Sequence, residues 1–282
     1  MNFDHFMDAI EEIYHGQRFV VMFDEFELIE HKIAQGMDAS VLNYFRNLMQ
    51  HRGSLIFVFT GTHRLQDMTH EYWNILFGIA LNREISYLGE ADTQRLITEP
   101  VKGYLEYDDL TIEKIIRVTR CQPYLVQLIC WQLINYLNGQ KCNYATINDL
   151  NKVLDQTLVT AEAYFNNIWE QSTRHQRVIL ALLTTLVYPG KETAAFNEIE
   201  KELSDRRIAI TNQELITALS QLCHCDVLEE YTDGELRYRF QIDLMRMWVE
   251  KNKPPARVFI EEELRAQAPI EKKLTQRLPD DV

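Results

Sequence analysis

The chain has 282 residues, 46% of them hydrophobic and 25% charged, with seven Pro and ten Gly, a balance that fits one large or two ordinary globular domains and excludes a disordered chain. A formal charge of −13 argues against a protein whose main work is coating nucleic acid or anionic membrane, although a local basic surface stays open. No run approaches the roughly 18 apolar residues that span a bilayer, and the acidic, amphipathic N-terminus MNFDHFMDAIEEIYHG lacks the basic region of a secretory signal. Five cysteines at irregular spacing fit a reducing, cytoplasmic setting. Cys223 and Cys225 flank His224 with no second ligand cluster nearby, so helix-end thiols are expected there rather than a zinc site.

Phe3, Phe6, Met7, Ile10 and Ile13 recur at helical spacing and predict a helix over 3–14 that packs on a sheet. Gly16 ends it. The stretch 18–30, RFVVMFDEFELIE, is the one around which the chain is organised. Its unbroken apolar run Phe19–Phe23 suits a strand buried on both faces of a parallel sheet. The run stops in Asp24 and Glu25. Ligand crevices in open α/β sheets lie beyond the carboxyl ends of strands, which makes the two acids site candidates; Asp24 as N-cap of the next helix is the structural alternative.

The segment HKIAQGMDAS reads as a loop, and VLNYFRNLMQHR as a helix with Leu42, Phe45, Leu48 and Met49 on one face. Gly53 breaks it before a second apolar strand, Leu55–Phe59, which ends in Thr60-Gly61-Thr62-His63-Arg64. Helix–strand–helix–strand order predicts parallel strands, with Asp24, Glu25 and Thr60 along one edge. REISYL at 83–88 reads as a short third strand. From Gly89 the pattern turns helical, over 91–98, 110–119, 123–136 and 147–158, with Pro123 at a first-turn position.

Between Tyr164 and Pro254 three helical stripes appear: Val178 to Leu186, Phe196 to Leu203, and Leu215 to Leu222. Strands VLEEY and LRYRF come next, joined around Thr232-Asp233-Gly234-Glu235, where Asp-Gly signals a hairpin. Three helices and a hairpin describe a winged helix. A closing helix carries Leu244, Met245, Trp248 and Val249. Beyond Pro254-Pro255 the charged tail reads as a linker or a lone exposed helix.

This order resembles that of the AAA+/STAND group of P-loop ATPases, in particular the bacterial and archaeal AAA-like ATPases with a C-terminal winged helix. FVVMFDEFELI is similar to their Walker B strand and LIFVFTGTHRL to their sensor 1 strand and loop. ISYLGEADTQRLITEPV resembles the entry to their lid, TRCQPYLVQLICWQL the lid helix that opens with a Gly-x-Pro element, and FQIDLMRMWVEKNKP the closing helix of the winged domain. The resemblance implies an α/β fold: a partial P-loop NTPase parallel sheet over 1–88, a helical lid over 89–160, a winged-helix domain over 161–254 and a charged tail over 255–282.

By position, Asp24 would hold Mg²⁺ through water, Glu25 would orient or deprotonate the attacking water, and Thr60 would take the sensor 1 role. Arg64 would reach phosphate, with a surface salt bridge as the alternative. Gln122 and Pro123 would lie near the nucleotide base, with Cys121 where the family prefers Gly. No G-x-x-x-x-G-K-[ST] occurs in the 282 residues, so the phosphate cradle of a P-loop is missing from them. The expectation is a fragment or truncated product of an ATP- and Mg²⁺-dependent signalling switch, weak or inactive alone, with a shortened relative that has lost hydrolysis as the alternative.

The alternative is a non-catalytic winged-helix module for protein interaction, self-association or DNA. The candidate recognition helix, about 211–224, has no Lys or Arg, whereas phosphate contacts dominate DNA affinity. Arg206, Arg207, Arg237 and Arg239 are the local basic cluster, and alternation reads the last two as a solvated strand face. A protein-interaction or packing role is preferred, with no membrane partner.

Overall fold

The computed structural model describes residues 3–26, 28–61, 81, 83 and 85–267. The chain folds as two compact units, Met1–Ser86 and Tyr87–Val282.

In the first unit the apolar runs form two strands, β1 (Phe19–Phe23) and β2 (Leu55–Phe59), paired parallel from Phe19↔Leu55 to Phe23↔Phe59. Helices α1 (Phe3–Ile13), α2 (Leu28–Ala34) and α3 (Ser40–His51) pack on one face of them. Alternation along each strand sends alternate side chains to opposite faces. Phe19, Val21 and Phe57 pack with Met7, Leu48 and Leu55, while Phe23 and Phe59 join Phe26, Leu42 and Phe45. Arg52, just past α3, ties that helix to α1 through Asp8 at 2.8 Å and Glu11 at 3.3 Å.

The opposite face differs from the expected double burial. Val20 is 52% exposed, Met22 74%, Ile56 40% and Val58 38%. The apolar run reports what the backbone prefers and not whether a second layer covers it. Two further expectations are corrected here. Much of the predicted loop at 31–40 is helical, because Ile29 and Ile33, one turn apart, both reach the Phe26–Leu42 cluster. Arg83 and 85–88 form no strand, and Leu88 N–H donates instead to the Cys121 carbonyl at 3.1 Å.

The second unit is mostly helical. Helix α4 (Glu90–Thr98) and a 3₁₀ turn (Glu99–Val101) lead to β3 (Glu106–Tyr107), α5 (Asp109–Thr119), α6 (Pro123–Gln140), β4 (Tyr144–Ala145), α7 (Ile147–Thr160) and α8 (Glu162–Gln171). The two-residue strands β3 and β4 pair in parallel. Side-chain caps fix the starts: Asp108 accepts from Thr111 N–H at 2.6 Å, and Thr146 and Asp149 form a capping box.

Then come α9 (Arg174–Leu186), β5 (Ala194–Ala195), α10 (Phe196–Asp205), α11 (Asn212–His224), β6 (Leu228–Asp233) and β7 (Glu235–Phe240). The three strands make one antiparallel sheet in the order β5-β7-β6, turned at Gly234 with φ 71°. α9 is buried from Gln176 through Thr184 on all sides rather than along one stripe, as a helix at the centre of a domain is.

Helices α12 (Asp243–Asn252) and α13 (Pro255–Gln267) close the unit. α13 bears out the helix expected as one alternative beyond Pro254-Pro255 and corrects its exposure. Val258 is 2% exposed, and Glu262, 5% exposed, meets Arg177 of α9 at 3.2 Å. The charged sequence hid the burial of this helix because one of its charges is spent inward. A single core runs through the unit, from Ile97 by way of Ile129, Leu180 and Trp248 to Val258. Among the described residues no helix is long and apolar enough to cross a membrane.

Candidate functional site

The carboxyl ends of β1 and β2 bring three of the expected residues together. Thr60 N–H donates to the Phe23 carbonyl at 2.8 Å, and Phe26 N–H donates to the Thr60 carbonyl at 2.9 Å. Asp24 and Glu25 therefore bulge out between two anchored residues. Phe26 is the inner anchor, 3% exposed with its ring 4.3 Å from that of Phe59.

The Thr60 hydroxyl donates to Asp24 Oδ1 at 2.5 Å, and Glu25 N–H donates to the same oxygen at 3.0 Å. Both bonds converge on Oδ1, and Oδ2 carries none from the described residues. Glu25 holds φ at 51°, a left-handed conformation that a residue with a Cβ adopts at a cost of about 1–2 kcal/mol. All three side chains are exposed. Asp24 is thus oriented by its neighbours and still open to a ligand. Its side-chain bonds to described residues run to Thr60 and Glu25, not to the first turn of α2.

The remaining candidates fall elsewhere. Arg64 lies outside the described residues. Gln122 and Pro123 belong to the second unit, where Gln122 is the N-cap of α6. Its side chain accepts from Leu125 N–H at 2.8 Å, and Pro123 sits in the first turn. Cys121 explains why glycine suits its position: it holds φ at 64°, next to Arg120 at 49°. Cys121 is buried, and none of the five cysteines forms a disulfide. Among the described residues no group of three or more His, Cys, Asp or Glu side chains could hold a metal ion by itself.

Sequence reasoning missed a second constellation. Arg120 Nη2 donates to Glu229 Oε2 at 2.6 Å, and Arg239 Nε donates to the same oxygen at 2.8 Å, which links the end of α5 to β6 and β7. Burial pushes the Glu229 carboxyl up, but the Arg239 hydrogen bond and the two guanidinium charges outweigh it and hold the group below its ordinary value. No local motif announces a contact between residues 109 positions apart.

Of the other basic candidates, Arg237 and Arg206 are engaged by acids, and Arg207, at a left-handed φ of 58°, makes no ion pair with a described residue. Arg237 pairs with Glu235 and, at 3.7 Å, with Glu198. Arg206 pairs with Glu202 at 2.6 Å.

No protein-family model matches the sequence, and no curated protein matches it. Among solved structures the chain is similar to the ORC2 protein of Aeropyrum pernix, solved in ADPNP–ADP complexes. The TM-score is 0.63 and identity 9%, over 93% of this chain and 69% of that one. It is also similar to a Walker-type ATPase of Pyrococcus abyssi, with a TM-score of 0.57 and 14% identity over 88% of this chain and 67% of that one. Identities this low speak for the fold alone, and the fold is AAA+-like, mixed α/β and mostly helical, with small parallel sheets and one small antiparallel sheet.

Proposed function

We propose that the chain is the lid- and winged-helix-bearing part of an AAA-like, STAND-type nucleotide switch. In this reading 1–88 is a partial ATPase core, 89–160 the helical lid, 161–254 the winged-helix domain and 255–282 the tail. One observation carries it: Asp24 and Thr60 meet at the carboxyl ends of adjacent parallel strands, with one carboxylate oxygen spent on orientation and the other open.

The donor set fits Mg²⁺, a hard ion that keeps several waters and takes one or two carboxylates beside substrate phosphates. Asp24 would hold the ion and Glu25 would orient water; the bound ion would supply charge neutralisation at the phosphates. The described residues of this site offer no cation and no glycine-rich cradle for the phosphates, so weak affinity and negligible turnover are expected of this chain alone.

Binding of a fluorescent ATP analogue, with and without Mg²⁺, tests the reading. Weak Mg²⁺-dependent binding that Asp24→Ala abolishes supports it. No binding, or binding equal in both proteins without Mg²⁺, sinks it, as does ordinary hydrolysis that Glu25→Gln leaves unchanged.

For the winged helix, protein interaction is favoured over DNA. The order α9-β5-α10-α11-β6-β7 with sheet order β5-β7-β6 suits that module. Its helix α11 carries no Lys or Arg, and Arg206, Arg237 and Arg239 face acids. A gel shift on duplex DNA at low salt should show no complex. Concentration-dependent sedimentation would reveal self-association.

A further inference from the structure

A concave pocket of about 180 Å³ opens in the second unit between the end of α5, the 187–192 turn, β7 and the start of α12. Four arginines line it: Arg117, Arg120, Arg239 and Arg246. In a chain of net charge −13 that concentration is the exception.

The arginines are unequally satisfied. Arg246 is 7% exposed and spent, with Asp243 at 2.6 Å and Glu250 at 2.9 Å. Arg120 and Arg239 share a single oxygen of Glu229. A guanidinium has five N–H donors in a fixed fork, so most donors of that pair find no acceptor in those contacts. Arg117 has no acidic partner among the described residues, and it adds to burial in lowering the pKa of the nearby Lys114. Arg120 also holds a left-handed φ of 49°. Strain of this kind persists where the surroundings over-determine it and often marks a functional position.

We propose that this pocket binds the phosphate group of a small phosphorylated molecule, through Arg117 together with the free forks of Arg120 and Arg239. Arginine forks match tetrahedral oxyanions and hold them by paired, charge-assisted bonds. Glu192 and Asp243 at the wall, and Asp233 and Glu235 at the hairpin tip, disfavour an extended polyanion such as a nucleic acid. The pocket shares no residue with the Asp24 site and needs no divalent ion.

The test is calorimetric titration of the full chain with inorganic pyrophosphate in EDTA and low salt, repeated with inorganic phosphate and with ATP. EDTA removes the ion that the Asp24 site requires, so the two proposals fail independently. Because Arg117 makes no ion pair with a described residue, Arg117→Gln should fold normally by circular dichroism. It should weaken pyrophosphate binding about tenfold, the worth of one charge-assisted contact. Glu229→Gln frees both shared arginines and should tighten binding several-fold.

Binding by phosphate and pyrophosphate alike would identify an inorganic ligand, and a clear preference for ATP a nucleotide's phosphates; either supports the site. No binding by any of the three, binding unchanged in both variants, or a complex formed only with an oligonucleotide would overturn it.

Discussion

The two units place similar apolar sequences in different surroundings. In the first, a two-stranded sheet is covered by helices on one face, and Met22 and Val20 stand exposed on the other. In the second, α9 is enclosed on every side, with Ile179, Leu180, Ala181, Leu182 and Leu183 all fully buried. The difference lies in layers rather than composition. A strand or helix gains stability from apolar residues only to the extent that another element removes them from water. Among the described residues the second unit therefore has the larger core, while the first holds the candidate site on a sheet with one covered face.

The largest expected effect concerns the buried ion pair that fixes α13. Arg177→Met removes the guanidinium that meets Glu262 and donates to the Trp169 and Glu170 carbonyls, and should destabilise the protein by about 3–5 kcal/mol in denaturant titration. Adding Glu262→Leu should recover the part of that loss that belongs to the ion pair. If Arg177→Met is silent, the C-terminal helix is not part of the core.

Next, Leu180→Ala removes a fully buried side chain and should cost about 2–5 kcal/mol. The matching change on the open sheet face, Met22→Ser, should stay within about 0.5 kcal/mol. Equal losses at the two positions would erase the contrast between the units.

A smaller effect of opposite sign is expected at the site. Glu25→Gly relieves a left-handed conformation and should stabilise the chain by about 1 kcal/mol at most, net of glycine's greater unfolded-state entropy. The melting temperature should rise slightly while any Mg²⁺-dependent nucleotide binding changes. Destabilisation would mean that the Glu25 side chain supports the fold.

Acid titration probes the second unit alone. The Glu229 carboxyl is held below its usual value of 4.5 in the folded chain. Its contribution is therefore present above pH 4.5 and fades as pH falls through the folded value. Glu229→Gln should flatten that acid limb of the stability profile.

The sequence by itself determined the local elements. The run FVVMF, the Gly16 and Gly53 breaks, the Pro123 start and the Asp-Gly hairpin are short-range physics, read within a few residues. It also placed Asp24 and Thr60 at neighbouring strand ends, because strand order and an apolar run require no distant information. What only the tertiary structure decided is what each face meets. The open side of β1 and β2, the enclosure of α9, the docking of α13 through Arg177 and Glu262, and the sharing of Glu229 by Arg120 and Arg239 all join residues far apart in the chain. Burial and electrostatic pairing are properties of such distant partners, and no local pattern encodes them.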